Sequence, residues 1–103
     1  MAEVSLDMQE ESWFLVANWK MNKTIRQAEE FVERIMPQIN TLKYPLWIGA
    51  PFTALHSLQE MKKKYTFILG AQNMNDASEG AFTGEIAAPM LRDVGAQFVI
   101  LGH

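Results

Sequence analysis

Four short runs of continuous apolar residues punctuate the chain, and the segments between them carry apolar residues at helical spacing. The first run, Phe14-Leu15-Val16-Ala17, belongs to a strand expected from about Trp13 to Trp19. Behind it Ile25, Ala28, Val32, Ile35 and Met36 recur with a 3.6-residue period, while Glu29, Glu30, Glu33 and Arg34 lie elsewhere. That spacing predicts a helix beginning near Thr24 with one apolar face. Pro37 is expected to kink or end it, because the ring removes an N–H and crowds the preceding turn. Leu46-Trp47-Ile48 forms the second strand, closed by Gly49-Ala50-Pro51. Thr53 is the expected cap of a short helix with Leu55, Leu58 and Met61 inward, and Lys62-Lys63-Lys64 suits the negative end of its dipole. The third strand is expected from Tyr65 to Ala71. Gln72 to Glu85 has no hydrophobic period and reads as a loop, long enough to carry function. A brief helix, Ala87 to Val94, leads through Gly95 to a last strand from Gln97 to Gly102.

The order is therefore β-α-β-α-β-α-β, an α/β pattern. Continuous rather than alternating apolar strands are those of a parallel sheet buried on both faces, and the connections are expected to be right-handed. No helix follows the final strand to cover its outer face, so the unit reads as part of a larger domain. Chemistry in such sheets gathers at the carboxyl ends of the strands. Two of those ends turn abruptly polar: Asn18-Trp19-Lys20 after the first strand and Gly102-His103 after the fourth.

Composition narrows the function. The chain has 103 residues, 49% hydrophobic, and a formal net charge of −3 with no long basic block, which argues against an electrostatic nucleic-acid surface. There is no cysteine, hence no disulfide framework, thiol nucleophile or thiolate metal site, and only His56 and His103 offer imidazole. Residues 1–12 carry Glu3, Asp7, Glu10 and Glu11 without an apolar core and read as a flexible acidic extension, not a secretory signal. No run approaches the length of a membrane span.

Asn18 and Lys20 lie two apart, and a period of two places both on one side of a strand end, where an amide and an ammonium could hold an oxyanion. By spacing alone a solvated strand terminus fits them as well. His103 could be acid, base or electrophile, and equally an inert terminal residue. His56 sits beside Leu55 and Leu58 with no second ligand at metal spacing, so a partly buried packing role is expected. Gly80-Ala-Phe-Thr-Gly84 lacks the Lys-Ser/Thr ending of a P-loop. The carboxylates are scattered, with no pair arranged for hydrolysis, and the seven methionines are expected to fill apolar positions or loops.

The local sequences say more than their spacing. Asn18-Trp19-Lys20-Met21-Asn22, Ala50-Pro51-Phe52, Gly70-Ala71-Gln72-Asn73, Gly80-Ala81-Phe82-Thr83-Gly84-Glu85, Met90-Leu91-x-Asp93-x-Gly95 and Val99-Ile100-Leu101-Gly102-His103 stand in that order. From about Phe14 onward the chain resembles the amino-terminal part of the triosephosphate isomerase family. The resemblance implies the amino-terminal half of a (β/α)8 TIM barrel, strands one to four with three helices, over residues 13–103. It implies a dimeric cytoplasmic enzyme of glycolysis and gluconeogenesis that interconverts dihydroxyacetone phosphate and D-glyceraldehyde 3-phosphate through an enediolate, without metal or organic cofactor. No nucleic acid or membrane partner is implied. Asn18 and Lys20 then contact substrate, Lys20 offsetting the charge of phosphate and enediolate, and His103 polarises the carbonyl and shuttles protons. The glutamate base that the handling of carbon-bound protons requires in this family has no counterpart here, so the 103-residue chain alone is expected to be inactive. The loop from Gln72 to Glu85 resembles the family's dimer loop: Gln72, Asn73, Phe82, Thr83, Gly84 and Glu85 are expected at the subunit interface, with Met21 in the receiving surface.

Two departures are visible. Where the family often opens the following helix with Ser-Pro, this chain has Ala87-Ala88-Pro89. A side-chain cap is lost, at about 1 kcal/mol, and the proline falls one residue later, still tolerable in a first turn. Two other readings stay open: a different phosphosugar barrel, or a half-barrel interaction module without catalysis that docks through its sheet edge and the Phe82 loop.

Overall fold

The computed structural model describes residues 14–39, 41 and 44–103. The expected acidic extension and Trp13 lie outside the described residues. Four strands, β1 (Leu15–Asn18), β2 (Leu46–Ala50), β3 (Ile68–Ala71) and β4 (Phe98–Val99), alternate with three helices, α1 (Ile25–Ile39), α2 (Phe52–Met61) and α3 (Ala88–Val94). All three strand pairs are parallel, and the sheet order is the chain order, β1-β2-β3-β4. The parallel α/β order is the one the apolar pattern implied, and it is the first half of a (β/α)8 arrangement, as the family resemblance implied.

Register explains the layering. Leu46, Ile48 and Ala50 of β2 share a face with Leu69 and Ala71 of β3. All five are buried and cluster with Ala28, Val32 and Met36 of α1, Ala54, Leu55 and Leu58 of α2, and Leu91 of α3. The helices thus cover one face, consecutive helices touching, as right-handed crossovers in a row require. The opposite face carries Val16, Trp47, Ile68, Phe98 and Ile100, none of them buried. Its aromatic rings lean together: Phe14 stacks on Trp47 at 4.8 Å and Trp47 meets Phe98 at 5.1 Å.

Several element ends differ from the expectation. β1 and β3 are shorter than read, and β4 spans two residues instead of running from Gln97 to Gly102. Its pairing stops where β3 ends, the last ladder contact being Ile100 N–H to Ala71 O at 2.9 Å. Pro37 neither ends nor interrupts α1, which runs on to Ile39. The carbonyl of Glu33 that Pro37 leaves unbonded lies on an exposed stretch, so water can satisfy it. Thr53 does not cap α2; it lies inside the helix, whose N-cap is Pro51 with no side-chain bond. A cap not foreseen in the sequence opens α1: Thr24 N–H donates to Gln27 Oε1 at 2.9 Å and Gln27 N–H to Thr24 Oγ1 at 3.3 Å, a reciprocal capping box. Ile25, expected on the apolar face, is 49% exposed because it precedes the first turn that meets the sheet. His56 is exposed, not partly buried, since Leu55 and Leu58 point inward on the other side of α2. Met36 is buried as expected of a core filler, whereas Met21 and Met90 are exposed.

Candidate functional site

The polar groups collect where the strands end. Asn18 is the last residue of β1 and sits opposite Gly49 of β2. Its Oδ1 accepts two hydrogen bonds, from the Lys20 backbone N–H at 2.9 Å and from Gln72 Nε2 at 3.2 Å. Gln72 follows β3 directly, and its Nε2 also donates to the Gly49 carbonyl at 2.8 Å. One amide side chain thereby ties the ends of β1, β2 and β3 together.

Lys20 lies beyond the strand, in the left-handed region at φ 57°. The period-two reasoning that paired it with Asn18 therefore does not hold, because β1 stops at Asn18. A local turn joins them instead. A non-glycine residue costs about 1–2 kcal/mol in that region, and the bond from Lys20 N–H to Asn18 Oδ1 helps to offset it. Asn22 Nδ2 donates to the Trp19 carbonyl at 2.8 Å, closing the same turn, and Trp19 N–H donates to Gly49 O at 3.0 Å. The indole of Trp19 is buried, meeting Phe31 edge-on at 5.4 Å. Lys23, also left-handed at φ 82°, places its ammonium 4.9 Å from the Phe31 ring centre and 5.4 Å from that of Trp19. The loop that presents Lys20 is thus anchored beneath while the Lys20 side chain stays exposed.

His103 follows β4 at this same edge of the sheet, past Gly102, and is exposed. No hydrogen bond joins it to Asn18, Lys20 or Gln72, and two strands separate β1 from β4. Sequence reasoning marked Asn18, Lys20 and His103 but assigned Gln72 only to an interface. Its position right behind the apolar run of β3 was the available signal.

The loop from Gln72 to Glu85 is pinned at its base and free at its tip. Asn75 bridges to Ala87; its N–H donates to Ile86 O at 2.8 Å and its Nδ2 to Glu85 Oε1 at 3.2 Å. Asn73 uses its own Oδ1 to accept the Met74 N–H. At the tip Gly80 and Gly84 take positive φ, Thr83 is exposed, and Phe82 is 53% exposed. Met21, in the turn after β1, is 96% exposed. Among the described residues no group of His, Cys, Asp and Glu could hold a metal ion, and no helix is long and apolar enough to cross a membrane.

Parallel strands in chain order with helices along one side define a segment of a (β/α)8 barrel, and the hydrogen-bonding side chains of Asn18 and Gln72 gather at the carboxyl ends of its strands. The family model described as triosephosphate isomerase matches residues 13–103. The chain belongs to the triosephosphate isomerase family. Triosephosphate isomerase of Protochlamydia amoebophila is 46% identical over 89 residues, covering 86% of this chain and 34% of the relative. That of Rubrobacter xylanophilus is 42% identical over 91 residues, covering 86% and 36%. In three dimensions the chain is similar to the crystal structure of triosephosphate isomerase from Bartonella henselae, with a TM-score of 0.77 and 36% identity over 87% of this chain and 37% of that one. The chain spans about a third of the length of the curated relatives it matches.

Proposed function

We propose that this sequence, within a chain of its relatives' length, serves the interconversion of dihydroxyacetone phosphate and D-glyceraldehyde 3-phosphate by proton transfer through an enediolate. The observation that carries the reading is the constrained turn at the end of β1, where Asn18 holds the left-handed Lys20 in place and Gln72 holds Asn18. In this reading the Lys20 ammonium balances the charge of phosphate and developing enediolate, and Asn18 contributes to substrate binding. The turn fixes the Lys20 backbone, so its side chain starts from a defined point at the strand end, and a positioned cation stabilises charge as it develops. His103 polarises the carbonyl and carries protons between the two oxygens. Proton abstraction from carbon needs a positioned base, and no carboxylate of these 103 residues stands in the family's position for it. The isolated chain is accordingly proposed to lack turnover.

The loop from Gln72 to Glu85 is proposed to enter a partner subunit, with Thr83 hydrogen bonding and Phe82 burying apolar area, and Met21 in the surface that receives it. The exposure of Phe82 and Met21 supports this. The enzyme is proposed to act in the cytoplasm as a homodimer, without cofactor, nucleic acid or membrane. The test is a coupled isomerase assay in a host lacking its own isomerase. The 103-residue chain should give no rate above background, and the complete coding sequence should restore one that Lys20→Ala abolishes. Turnover by the short chain, or full turnover by the complete Lys20→Ala enzyme, would remove these residues from the mechanism.

A further inference from the structure

β4 begins on a clamp made by one amide side chain. Gln97 N–H donates to the Leu69 carbonyl at 2.6 Å, and Gln97 Oε1 accepts the Leu69 N–H at 3.1 Å. Two bonds thus join one residue to one residue across β3 and β4, the side chain adding a rung ahead of the first backbone pair, Gly70 with Phe98. The same Oε1 accepts a hydrogen bond from Nζ of Lys62, the C-cap residue of α2. Leu69 is fully buried and Lys62 half-buried, and burial lowers the Lys62 ammonium below its ordinary range. The approach to Gln97 is constrained as well. Gly95 closes α3 at φ 95°, and a Cβ on it would meet the Gln59 amide of α2 at 2.5 Å. Every group of the clamp therefore lies on elements that already touch one another, α2 on β3, β3 on β4 and α2 on α3.

We propose that Gln97, held by Lys62, is a positioning residue for His103, fixing how far β4 is drawn along β3 and hence where the imidazole stands at the other end of the strand. This role rests on the function proposed above for His103. Strand faces alone do not fix that distance. A slip of two residues keeps every β4 side chain on its own face, yet it moves His103 by about 6.6 Å along the sheet. Such a slip takes Oε1 from both its donors at once, and a charged donor that loses its acceptor costs more than a neutral one. The clamp selects one register, and His103 at the far end of the same run inherits it. A misplacement of about 1 Å at a reacting group can cost about a hundredfold in rate.

The test uses the complete coding sequence, assayed well below each variant's melting midpoint so that loss of folded protein does not enter. Gln97→Leu should lower kcat about ten- to a hundredfold with KM unchanged, and should move the His103 ring resonances in spectra of histidine-labelled enzyme. Gln97→Glu keeps an oxygen for both donors and should restore the rate and the resonances. Lys62→Met should give a smaller loss, since the Leu69 rung remains. Lys63→Met, which loses only its bond to Glu60, should match the unsubstituted enzyme. A Gln97→Leu enzyme with a lowered midpoint but unchanged kcat and resonances would overturn the proposal, as would a Gln97→Glu enzyme no better than Gln97→Leu. An unsubstituted enzyme without isomerase turnover overturns the proposed activity instead, and the His103 resonances then decide the clamp by themselves.

Discussion

Asn18 Oδ1 receives both the Lys20 N–H and the Gln72 amide, so the position of Lys20 depends on a residue that touches it only through another. Gln72→Leu removes two donors' worth of bonding, and a net hydrogen bond contributes about 0.5–1.5 kcal/mol. Faster amide hydrogen exchange at Lys20 and Trp19 is the expected readout, with exchange in α2 unchanged. Lys23 separates two opposing effects: its left-handed backbone costs about 1–2 kcal/mol, while its ammonium over Trp19 and Phe31 returns about 0.5–1 kcal/mol. Lys23→Gly should therefore be close to neutral and Lys23→Ala clearly destabilising, as read by urea denaturation. Equal losses from the two would show that backbone strain at Lys23 is unimportant. At this scale the sequence was partly legible. Asn18, Lys20 and His103 stood out as polar residues at strand ends, but the φ of Lys20 and the reach of Gln72 depend on the meeting of three strands distant in sequence. His56 was misjudged because neighbours in sequence were taken as neighbours on a helix face.

Helices were easier to read than their ends. The period of α1 identified Ala28, Val32 and Met36, all fully buried, because a single face meets the sheet. Its first turn holds the Thr24–Gln27 box, and Thr24→Ala should cost about 1 kcal/mol. The first turn of α3 has no such partner: Ala87 is the N-cap with an extended backbone and no side-chain bond. Ala87→Ser supplies an acceptor there and should stabilise by about 1 kcal/mol, measurable as a raised midpoint in urea. At the end of α2, Lys63 Nζ donates to Glu60 Oε1 at 2.8 Å. That bond lowers the Glu60 carboxyl below its ordinary range and raises the Lys63 ammonium above its own. A lowered carboxyl favours the fold above the unfolded carboxyl pKa, and the contribution is lost as pH falls through the folded one. Lys63→Met should return Glu60 to the ordinary carboxylate range in an NMR titration. The site is fully exposed, so stability should hardly change. Strand ends were the least legible, since β4 ends where its partner β3 does, which no local pattern records.

At the scale of the whole molecule the pattern of continuous apolar strands correctly implied a parallel sheet, and among the described residues helices cover one of its faces. Gly49 and Gly70, read in the sequence only as parts of strand-end motifs, let Ile100 and Phe98 fold down onto the open side. Because β1, β2, β3 and β4 lie side by side in the order in which they occur along the chain, each strand that forms offers an edge to the next one. No strand must wait for a later segment to be threaded between two earlier ones. Loop closure is therefore required only between successive units, which keeps its entropic cost small at every step. On a ribosome such a chain can add one strand–helix unit at a time, from the amino terminus forward. The growing edge is always the newest strand, and the oldest, β1, remains unpaired on its outer side until the ring is complete.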